Sequence, residues 1–378
     1  METRSGPATM GNRRLSAAVI GATGATAFSW TAQQLLLDLW EHPWFRVGAV
    51  VAVNPEDVGS SLGEAIEKWF PTQSPPAELM EMKLVEPDPA AVERDSDAEF
   101  VISCLTPAVS ERLDPQFARA GFAVVSESPG LRGWPDVPLL MPEWNEDQLD
   151  VIPAQQKNRG WGGFAVSNPV CTIAIISQGM APIVRDFGVD AALITTMQAM
   201  SGAGPMGIPA LDMVDNLIPF INTEEEKVES EGAKIFGHVS GDEIVPSPMR
   251  IGATCARVPV SHGHVASITL SCSSPVSVED VARSLSSFQG AGVAYGLPSA
   301  SKHPVHVSQE PDRPQPRLDG NVENGMSVVV GRIRPEPAVR NGVKFVVAGH
   351  NMSLGTVGNT LLCAELLHAR ELLGAESR

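Results

Sequence analysis

The feature that most constrains the fold of this chain is a glycine-rich turn between an apolar segment and a helical one. Residues 15–20 form a short apolar run typical of a buried strand, residues 21–27 read GATGATA, and a helix is predicted over residues 30–40. This order is the context of a dinucleotide-binding turn. Gly21 permits the tight turn, and Gly24 lets a pyrophosphate approach the backbone at the positively polarised start of the helix.

Strand and helix signals then divide the chain into two parts. Strands are predicted at 46–53, 98–105 and 122–126 with helical segments nearby, which favours an α/β fold with a parallel, doubly wound sheet. Beyond about residue 168 the strands alternate in polarity, as in an antiparallel sheet. The last segment, residues 360–373, has the pattern of an amphipathic helix.

Charge and composition exclude several classes of partner. The 378 residues carry a net charge of −17, which argues against binding to a phosphate backbone, so no nucleic-acid partner is expected. No apolar run has the length of a membrane span, and residues 1–14 are polar without the apolar core of a signal peptide. We interpret that segment as a flexible tail. Five scattered cysteines fit reduced thiols in a cytoplasmic protein.

The loop after the second predicted strand, residues 54–57, contains two acids and no basic residue. An acidic side chain here usually binds the ribose 2′-hydroxyl of NAD, whereas a basic one accommodates the 2′-phosphate of NADP. If a nicotinamide cofactor binds, the loop disfavours the phosphorylated form. A solvated turn with acids that cap a helix explains the same residues equally well.

A candidate nucleophile is Cys171, which follows an Asn-Pro turn and precedes the apolar run 173–176. The run indicates the start of a helix, with Thr172 as a possible cap. A cysteine at a helix N-terminus has a lowered pKa and a larger thiolate fraction, which suits attack on a carbonyl. A buried cysteine acting as a small hydrophobic residue is the alternative for this segment.

Three other groups of residues carry weaker signals. Arg132 lies in a loop after a strand, where it can clamp an anion or simply be solvated. Glu224 and Lys227 lie on the same face of a predicted helix, and Thr223 and Glu226 would cap its N-terminus. A Glu–Lys pair at this spacing is usually a surface ion pair. His262 and His264 would point to the same face of a strand, but no third metal ligand is evident, so we predict no metal.

Several longer motifs in order and spacing resemble aspartate-semialdehyde dehydrogenases, particularly the archaeal and fungal branch. The resemblance covers roughly residues 15–375. Its main landmarks are GATGATA at 21, VPLLMPEWN at 137, SNPVCT at 167, TTMQAMSGAG at 195, DNLIPFINTEEEK at 215, RVPVSHGH at 257, PDRPQPRLDG at 311 and HNMSLGTVGN at 350.

The resemblance implies a Rossmann domain, an α+β catalytic and dimerisation domain, and a C-terminal helix that returns to the Rossmann domain. It implies a homodimer or homotetramer that reduces an acyl phosphate, aspartyl 4-phosphate, through a cysteine thioester with NADP or NAD. The substrate is a small molecule with a carboxylate and an acyl or aldehyde group. The expected divisions are a tail at 1–14, the Rossmann domain at 15–167, the catalytic domain at 168–348 and the C-terminal helix at 349–378.

The resemblance also assigns roles to individual residues. Cys171 matches the nucleophile, His264 the general acid/base and Gln198 the glutamine that orients the substrate. Arg257 matches the arginine that holds the substrate carboxylate. The phosphate site is implied to use Glu224, Lys227 and Arg132. The cofactor site is implied to use Gly21, Thr23, Gly24, Ala25, Thr26, Ser201, Gly202 and Asn351.

Departures from the family pattern cluster on the cofactor and phosphate sides. Val170 stands where the family has an asparagine before the cysteine, and Glu127 replaces an asparagine near the phosphate. Leu354 replaces an arginine, and SGAGPMG at 201 replaces SGAGYPG. The loop at 53–60 lacks the Ser-x-Arg-Ser-x-Gly-Lys pattern, so the contacts to the 2′-phosphate are predicted to be lost.

Three interpretations of the function follow from these residues. The first is an active dehydrogenase with relaxed or NAD-leaning cofactor use. The second is a diverged homologue that uses the Cys171–His264 pair for other acyl chemistry with weak cofactor binding or none. The third is a non-catalytic paralogue, which the retained Arg257 and Gln198 disfavour. We prefer the dehydrogenase because the fingerprint glycines remain.

Overall fold

The computed structural model describes residues 13–374, in two sheets with surrounding helices and one small hairpin. Residues 1–12, most of the predicted tail, lie outside the described part. The strands are β1 (Leu15–Ile20), β2 (Phe45–Val51), β3 (Leu84–Val85), β4 (Phe100–Ser103), β5 (Ala123–Ser126), β6 (Phe164–Ser167), β7 (Val189–Gln198), β8 (His238–Ser240), β9 (Glu243–Val245), β10 (Arg250–Arg257), β11 (His264–Cys272), β12 (Val305–Val307), β13 (Val328–Pro335) and β14 (Gly342–Gly349).

Helices connect the strands and cover the sheets. The α-helices are α1 (Ala27–Glu41), α2 (Leu62–Ala65), α3 (Ala77–Glu81), α4 (Pro89–Asp95), α5 (Pro107–Arg119), α6 (Ile152–Arg159), α7 (Cys171–Phe187), α8 (Ala210–Met213), α9 (Glu224–Ile235), α10 (Val278–Ser286), α11 (Ala291–Tyr295), α12 (Pro316–Asp319) and α13 (Gly358–Ala369). Short 3₁₀ turns occur at Pro55–Asp57, Pro129–Leu131, Glu146–Val151, Met200–Ala203 and Val322–Gly325, and a π turn at Ser353–Val357. Within residues 13–374 no helix is long and apolar enough to span a membrane.

The first sheet is fully parallel and has the strand order β3-β2-β1-β4-β5-β6. The predicted doubly wound sheet is therefore confirmed. The chain leaves β1 toward β2 on one side and later returns to β4 on the other, so a crevice opens between β1 and β4. Crevices of this kind, at the carboxyl ends of the strands, are where such sheets bind nucleotides.

The turn after β1 can be built only with glycine at its first position. Gly21 has a φ of +109°, and a Cβ atom there would lie 2.0 Å from the Cys104 carbonyl oxygen. Thr26 caps α1, since its Oγ1 accepts a hydrogen bond from the Ser29 amide at 3.2 Å. No acidic side chain occupies the first turn of α1. The amide donors at the start of this helix are thus free of a competing anion.

The second sheet is mixed and has the order β10-β7-β11-β14-β13-β12. Its central strands β7, β11, β14 and β13 are antiparallel to their neighbours. The edge strands are parallel to theirs, β10 to β7 and β12 to β13. The α+β character predicted for this part of the chain is confirmed. Helices α7 and α10 pack against this sheet.

Helix α13 returns to the first part of the chain, as predicted, but it is not amphipathic. All of its residues from Gly358 to Leu367 are buried. The Asn359 amide donates to the Leu140 carbonyl at 3.0 Å, and the Glu365 carboxylate meets the His42 ring at 2.8 Å. The helix is enclosed on all sides because it lies between the first sheet and α11, so polar residues on it bind protein groups rather than water.

Candidate active site

One cavity of about 340 Å³ brings together side chains from both halves of the chain. Its wall is formed by the start of α1, the loops after β5 and β6, the start of α7 and the residues around α9. Most of the residues that the sequence nominated line it, namely Cys171, Gln198, Ser201, Gly202, Arg257, Glu224, Lys227, Arg132 and Asn351. The cavity thus brings these residues together, whereas Gly21, Thr23, Gly24, Ala25, Thr26 and His264 do not line it.

Cys171 opens helix α7 at the edge of this cavity, with its Sγ 3.3 Å from Nε2 of His264. The prediction that the helix N-terminus lowers the pKa of this thiol is wrong for the ligand-free site. Burial raises the pKa of Cys171 to about 12, and the carboxylates of Glu224 and Glu127 raise it further. Because desolvation opposes the charged form, the dipole of one helix does not compensate. The resting nucleophile is a thiol.

The hydrogen bonds of His264 assign its tautomer. Its Nδ1 accepts the backbone N–H of Ala199 at 3.1 Å, so the ring proton lies on Nε2 and points at the Cys171 sulfur. Burial lowers the pKa of His264 to about 3, and the nearby Arg257 and His350 lower it further. The ring is therefore neutral and presents an N–H donor to the cavity.

Arg257 is buried and, like His264, is bound by the backbone of Ala199. Its Nη1 donates to the Ala199 carbonyl at 2.6 Å, while its buried Nε has no hydrogen-bond partner among the described residues. A Cβ atom on Gly202 would lie 2.8 Å from Nη1, so the backbone of that loop packs tightly on the guanidinium. An oriented guanidinium with a free N–H beside a thiol is suited to hold a carboxylate.

Glu224 is fixed by polar neighbours rather than by a lysine. Gln198 Nε2 donates to its Oε1 at 3.0 Å, and Thr172 Oγ1 donates to the same oxygen at 2.7 Å. Lys227 lies on the same wall, but no Glu224–Lys227 ion pair forms in residues 13–374. The prediction that Thr172 caps the helix is therefore wrong: its hydroxyl donates to Glu224 instead. Helix α7 begins after Val170 without a side-chain cap.

The capping box predicted for α9 is also absent. Thr223 has a left-handed backbone, with φ of +59°, and its side chain caps nothing. The three successive acids that begin α9 bind elsewhere: Glu225 accepts the Cys255 amide at 2.9 Å, and Glu224 faces the cavity. The helix start is shaped by these tertiary contacts rather than by its local capping pattern.

Arg132 lines the same cavity as Arg257 and already forms an ion pair with an acidic side chain. Its Nη1 is 3.4 Å from Glu231 Oε1, and its Nη2 donates to the Glu127 carbonyl at 2.8 Å. Its Nε is buried and without a partner among the described residues. The other Glu231 oxygen accepts the Val170 amide at 2.7 Å. The predicted anion-binding arginine is thus inside the site and not solvated.

His262 does not join His264 on a strand. It precedes β11 and stacks on His350, with ring centroids 5.6 Å apart. The same-face prediction for the two histidines is therefore wrong, because the turn at Gly263 separates them. No group of three His, Cys, Asp or Glu side chains in residues 13–374 is arranged to hold a metal ion.

Two family models match the chain over most of its length. The semialdehyde dehydrogenase NAD-binding domain matches residues 16–152, and the semialdehyde dehydrogenase dimerisation domain matches residues 180–354. The chain belongs to the semialdehyde dehydrogenase family. The resemblance stated from the sequence motifs is thereby confirmed.

Individual members of the semialdehyde dehydrogenase family are similar over nearly the whole chain. The aspartate-semialdehyde dehydrogenase of Archaeoglobus fulgidus is 38% identical over 95% of this chain and 100% of its own. The malonyl CoA reductase (NADP) of Metallosphaera sedula is 32% identical over 94% and 97%. A crystal structure of aspartate semialdehyde dehydrogenase with NADP from Candida albicans has a TM-score of 0.85 and 34% identity, covering 94% of this chain and 99% of that one.

The local structure of residues 16–152 has the features expected of the NAD-binding domain that they match. The glycine turn, the free start of α1 and the crevice between β1 and β4 are all features that a dinucleotide requires. Asn351 Nδ2 donates to Ser201 Oγ at 2.9 Å, and a Cβ atom on Gly204 would touch Ala27 at 3.0 Å. The loop that contains Ser201 and Gly204 thus packs directly on the start of α1. An NAD(P) cofactor fits these residues.

Sequence reasoning missed two contributors to this site. Glu231, which meets both Arg132 and the Val170 amide, is seven residues after Glu224 and so lies on the same face of α9. That spacing was a usable signal. The Ala199 backbone, which orients both His264 and Arg257, carries no side-chain signal and could be found only in the folded chain.

Proposed function

We propose that this oxidoreductase of the semialdehyde dehydrogenase family interconverts aspartyl 4-phosphate and aspartate semialdehyde plus phosphate with a nicotinamide cofactor. The observation that carries the proposal is the Cys171–His264 pair, 3.3 Å apart, in a site with two buried arginines, Arg132 and Arg257, whose Nε atoms have no hydrogen-bond partner within residues 13–374. A nucleophile flanked by two separated cations matches a substrate with a carboxylate at one end and a phosphate at the other. Similarity to aspartate-semialdehyde dehydrogenases of archaea and fungi supports the same reaction.

Each side chain has a defined task in this reaction. Arg257 binds the α-carboxylate, and Gln198, held by Glu224, orients the substrate toward the sulfur. The Cys171 sulfur forms a bond to the acyl carbon as the bond to the phosphate oxygen breaks. The thiol proton leaves with the phosphate, which balances the step. The product is an acyl thioester at Cys171.

His264 acts as a hydrogen-bond donor in this arrangement. Its Nε2–H points toward the reacting centre because Nδ1 is occupied by the Ala199 amide. The donor stabilises the oxyanion that develops on the acyl oxygen, and later the departing sulfur. A bound nicotinamide would supply the hydride for the reduction. Gly21, Thr23, Gly24, Ala25 and Thr26 would hold it together with Ser201, Gly202 and Asn351.

Replacing Arg257 with lysine tests the carboxylate site. We expect KM for aspartate semialdehyde to rise about 100-fold with a much smaller change in kcat, because a lysine cannot make the bidentate contact. Steady-state kinetics in the phosphate-dependent direction measures both constants. Arg283→Lys, at an exposed position of α10, is the matched control. An unchanged KM in Arg257→Lys would contradict this assignment.

We further propose that the cofactor site has lost its contacts to a 2′-phosphate. The loop after β2 places Glu56 and Asp57 in an exposed 3₁₀ turn, without a basic residue between positions 52 and 60. Carboxylates there repel a 2′-phosphate and can accept hydrogen bonds from a ribose hydroxyl.

Cofactor preference provides the measurement. We expect kcat/KM for NADP to exceed that for NAD by less than about tenfold, and Glu56→Arg to raise the ratio about tenfold by improving NADP alone. Both ratios come from initial rates with each cofactor varied. A strong preference for NADP in the unaltered enzyme, insensitive to Glu56→Arg, would show that this turn does not face the ribose.

We also propose a homodimer or homotetramer that works in the cytoplasm. The match of residues 180–354 to the family's dimerisation domain supports the assembly. All five cysteines are unpaired, and free thiols are typical of a reducing compartment. Light scattering of the purified protein tests the assembly.

A further inference from the structure

Glu127 is an acidic residue at the end of the cavity that we assign to phosphate, where the family pattern has an asparagine. It follows β5, lines the cavity with Arg132 and Cys171, and is only 3% exposed. Its Oε2 accepts hydrogen bonds from Asn168 Nδ2 and, at 3.1 Å, from Thr360 Oγ1. No hydrogen bond reaches its Oε1 within residues 13–374. One carboxylate oxygen is thus anchored and the other adjoins the space that a phosphate would enter.

The charges around this carboxylate do not favour an anion. Arg132 is the nearest cation, and it already pairs with Glu231. Lys234, which donates to the Arg132 carbonyl at 2.7 Å, also faces Glu231. With both glutamates ionised, their two negative charges balance those of Arg132 and Lys234, so this cluster has no net positive charge to attract an anion. The titratable and charged groups that face Glu127 are Arg132, Glu231, Cys104, Cys171 and Cys363.

Val170 contributes to the same end of the cavity. Its side chain offers no donor, and its backbone N–H is used by Glu231. The donors left for an oxyanion there are those of Arg132 and Lys227. Removal of one negative charge from the cluster would leave these cations with a net positive charge toward an entering dianion.

We propose that Glu127 sets the anion affinity of this subsite because a phosphate dianion binds with Glu127 protonated, so that an ionised Glu127 takes up one proton from solvent when phosphate binds. The proposal rests on the proposed function in taking phosphate as the natural anion. The protonated carboxyl keeps Oε2 as acceptor for Asn168 and Thr360, and its Oε1 becomes an O–H donor toward the phosphate. When phosphate leaves, the proton returns to solvent. Glu127 is thus a specificity-determining residue that makes phosphate affinity depend on pH.

The electrostatics of Glu127 support this coupling near neutral pH. Burial raises the pKa of its carboxyl to about 7, against the opposing effects of Arg132 and the two hydrogen bonds. In the free enzyme the group is therefore divided between its two forms at neutral pH. An entering dianion shifts it to the protonated form because like charges disfavour ionisation.

Sulfate is the probe for this proposal because it resembles phosphate in shape and stays a dianion throughout the range tested. We expect the affinity of the wild-type protein for sulfate, measured by titration calorimetry, to fall about thirtyfold as the pH rises from about 6 to about 8.5, because Glu127 ionises over this range. At the higher pH, titrations in two buffers of different ionisation enthalpy should show uptake of about one proton per sulfate. Glu127→Gln should bind sulfate with a much smaller pH dependence and proton uptake, and what remains is expected from Lys234, the pKa of which burial lowers to about 8.

Glu143→Gln is the matched control. Burial raises the pKa of Glu143 to about 7 as well, but this carboxylate bonds the Gly292 amide at 2.9 Å and lies outside the cavity. Its replacement should leave the pH dependence of sulfate binding unchanged. Glu127→Gln must also be shown to fold. Its melting temperature at a pH of about 8 should equal or exceed that of the wild type. Burial raises the native pKa of Glu127 from 4.5 to about 7, so the wild type loses stability as the pH rises between these two values, and the glutamine does not.

Two results would overturn the proposal. One is a wild-type protein whose sulfate affinity and proton uptake match those of Glu127→Gln at every pH. The other is a wild-type protein that does not bind sulfate at low pH. Neither readout requires turnover. Absence of phosphate-dependent oxidation of aspartate semialdehyde would instead refute the proposed function, so the two failures can be distinguished.

Discussion

Cys171→Ala is expected to abolish turnover while leaving the fold intact. In the proposed mechanism the Cys171 sulfur, 3.3 Å from His264 Nε2, forms the acyl thioester. Its loss should therefore lower kcat by at least about 10⁴-fold. Alanine fits the same helix start without a new cavity in the core, because the side chain faces the active-site pocket. The melting temperature should change little. Cofactor reduction with aspartate semialdehyde and phosphate measures the first effect, and thermal unfolding the second.

The matched control for this variant is Cys272→Ala. Cys272 is buried at the far end of β11, away from the cavity, so its removal should keep kcat within a few-fold while lowering the melting temperature. The two variants therefore have opposite profiles. Full activity of Cys171→Ala would exclude every covalent mechanism at this residue, including the one proposed above.

His264→Asn is expected to give the second-largest loss. Removing the Nε2–H that faces the sulfur should lower kcat by about 10²–10⁴-fold, because proton and hydrogen-bond donation to the reacting group is lost. KM for aspartate semialdehyde should stay within a few-fold, since Arg257 keeps its bond to the Ala199 carbonyl. The comparison of kcat with KM in steady-state kinetics separates a donor role from a binding role.

His262→Asn is the control for the histidine experiment. His262 is exposed, stacks on His350 and does not line the cavity. Its replacement should leave kcat within a few-fold of the wild type. If His264→Asn lost no more activity than His262→Asn, the contact between Nε2 and Sγ would have no catalytic role.

The parts of the fold that local chemistry determines were predictable from the sequence. Gly21 was assigned to the turn from the order of strand, glycine and helix, and the structure supplies the reason, since a Cβ atom there would collide with the Cys104 carbonyl. The parallel sheet and the antiparallel strands of the second sheet followed from patterning, whereas the parallel pairing of β10 and β12 did not. Helix α13 was found, but its all-round burial was not, because the second surface that covers it comes from a distant part of the chain.

The candidate site was predictable in its membership but not in its charge states. The sequence nominated Cys171 and His264 correctly as neighbours, yet it predicted an activated thiolate. Burial, which no local pattern reveals, instead keeps a neutral thiol next to a neutral imidazole. The role of the Ala199 backbone could not be predicted for the same reason, since it depends on how two loops meet.

The enclosure of α13 has a consequence for how the chain acquires its structure. Its Asn359 and Thr360 complete hydrogen bonds with Leu140 and Glu127, residues more than 200 positions earlier. During synthesis, the first sheet therefore emerges long before the helix that seals it. Contacts of such long sequence separation make folding slow. Until α13 is made, the N-terminal half exposes an apolar groove, and such transiently exposed surface makes incompletely folded chains prone to aggregate.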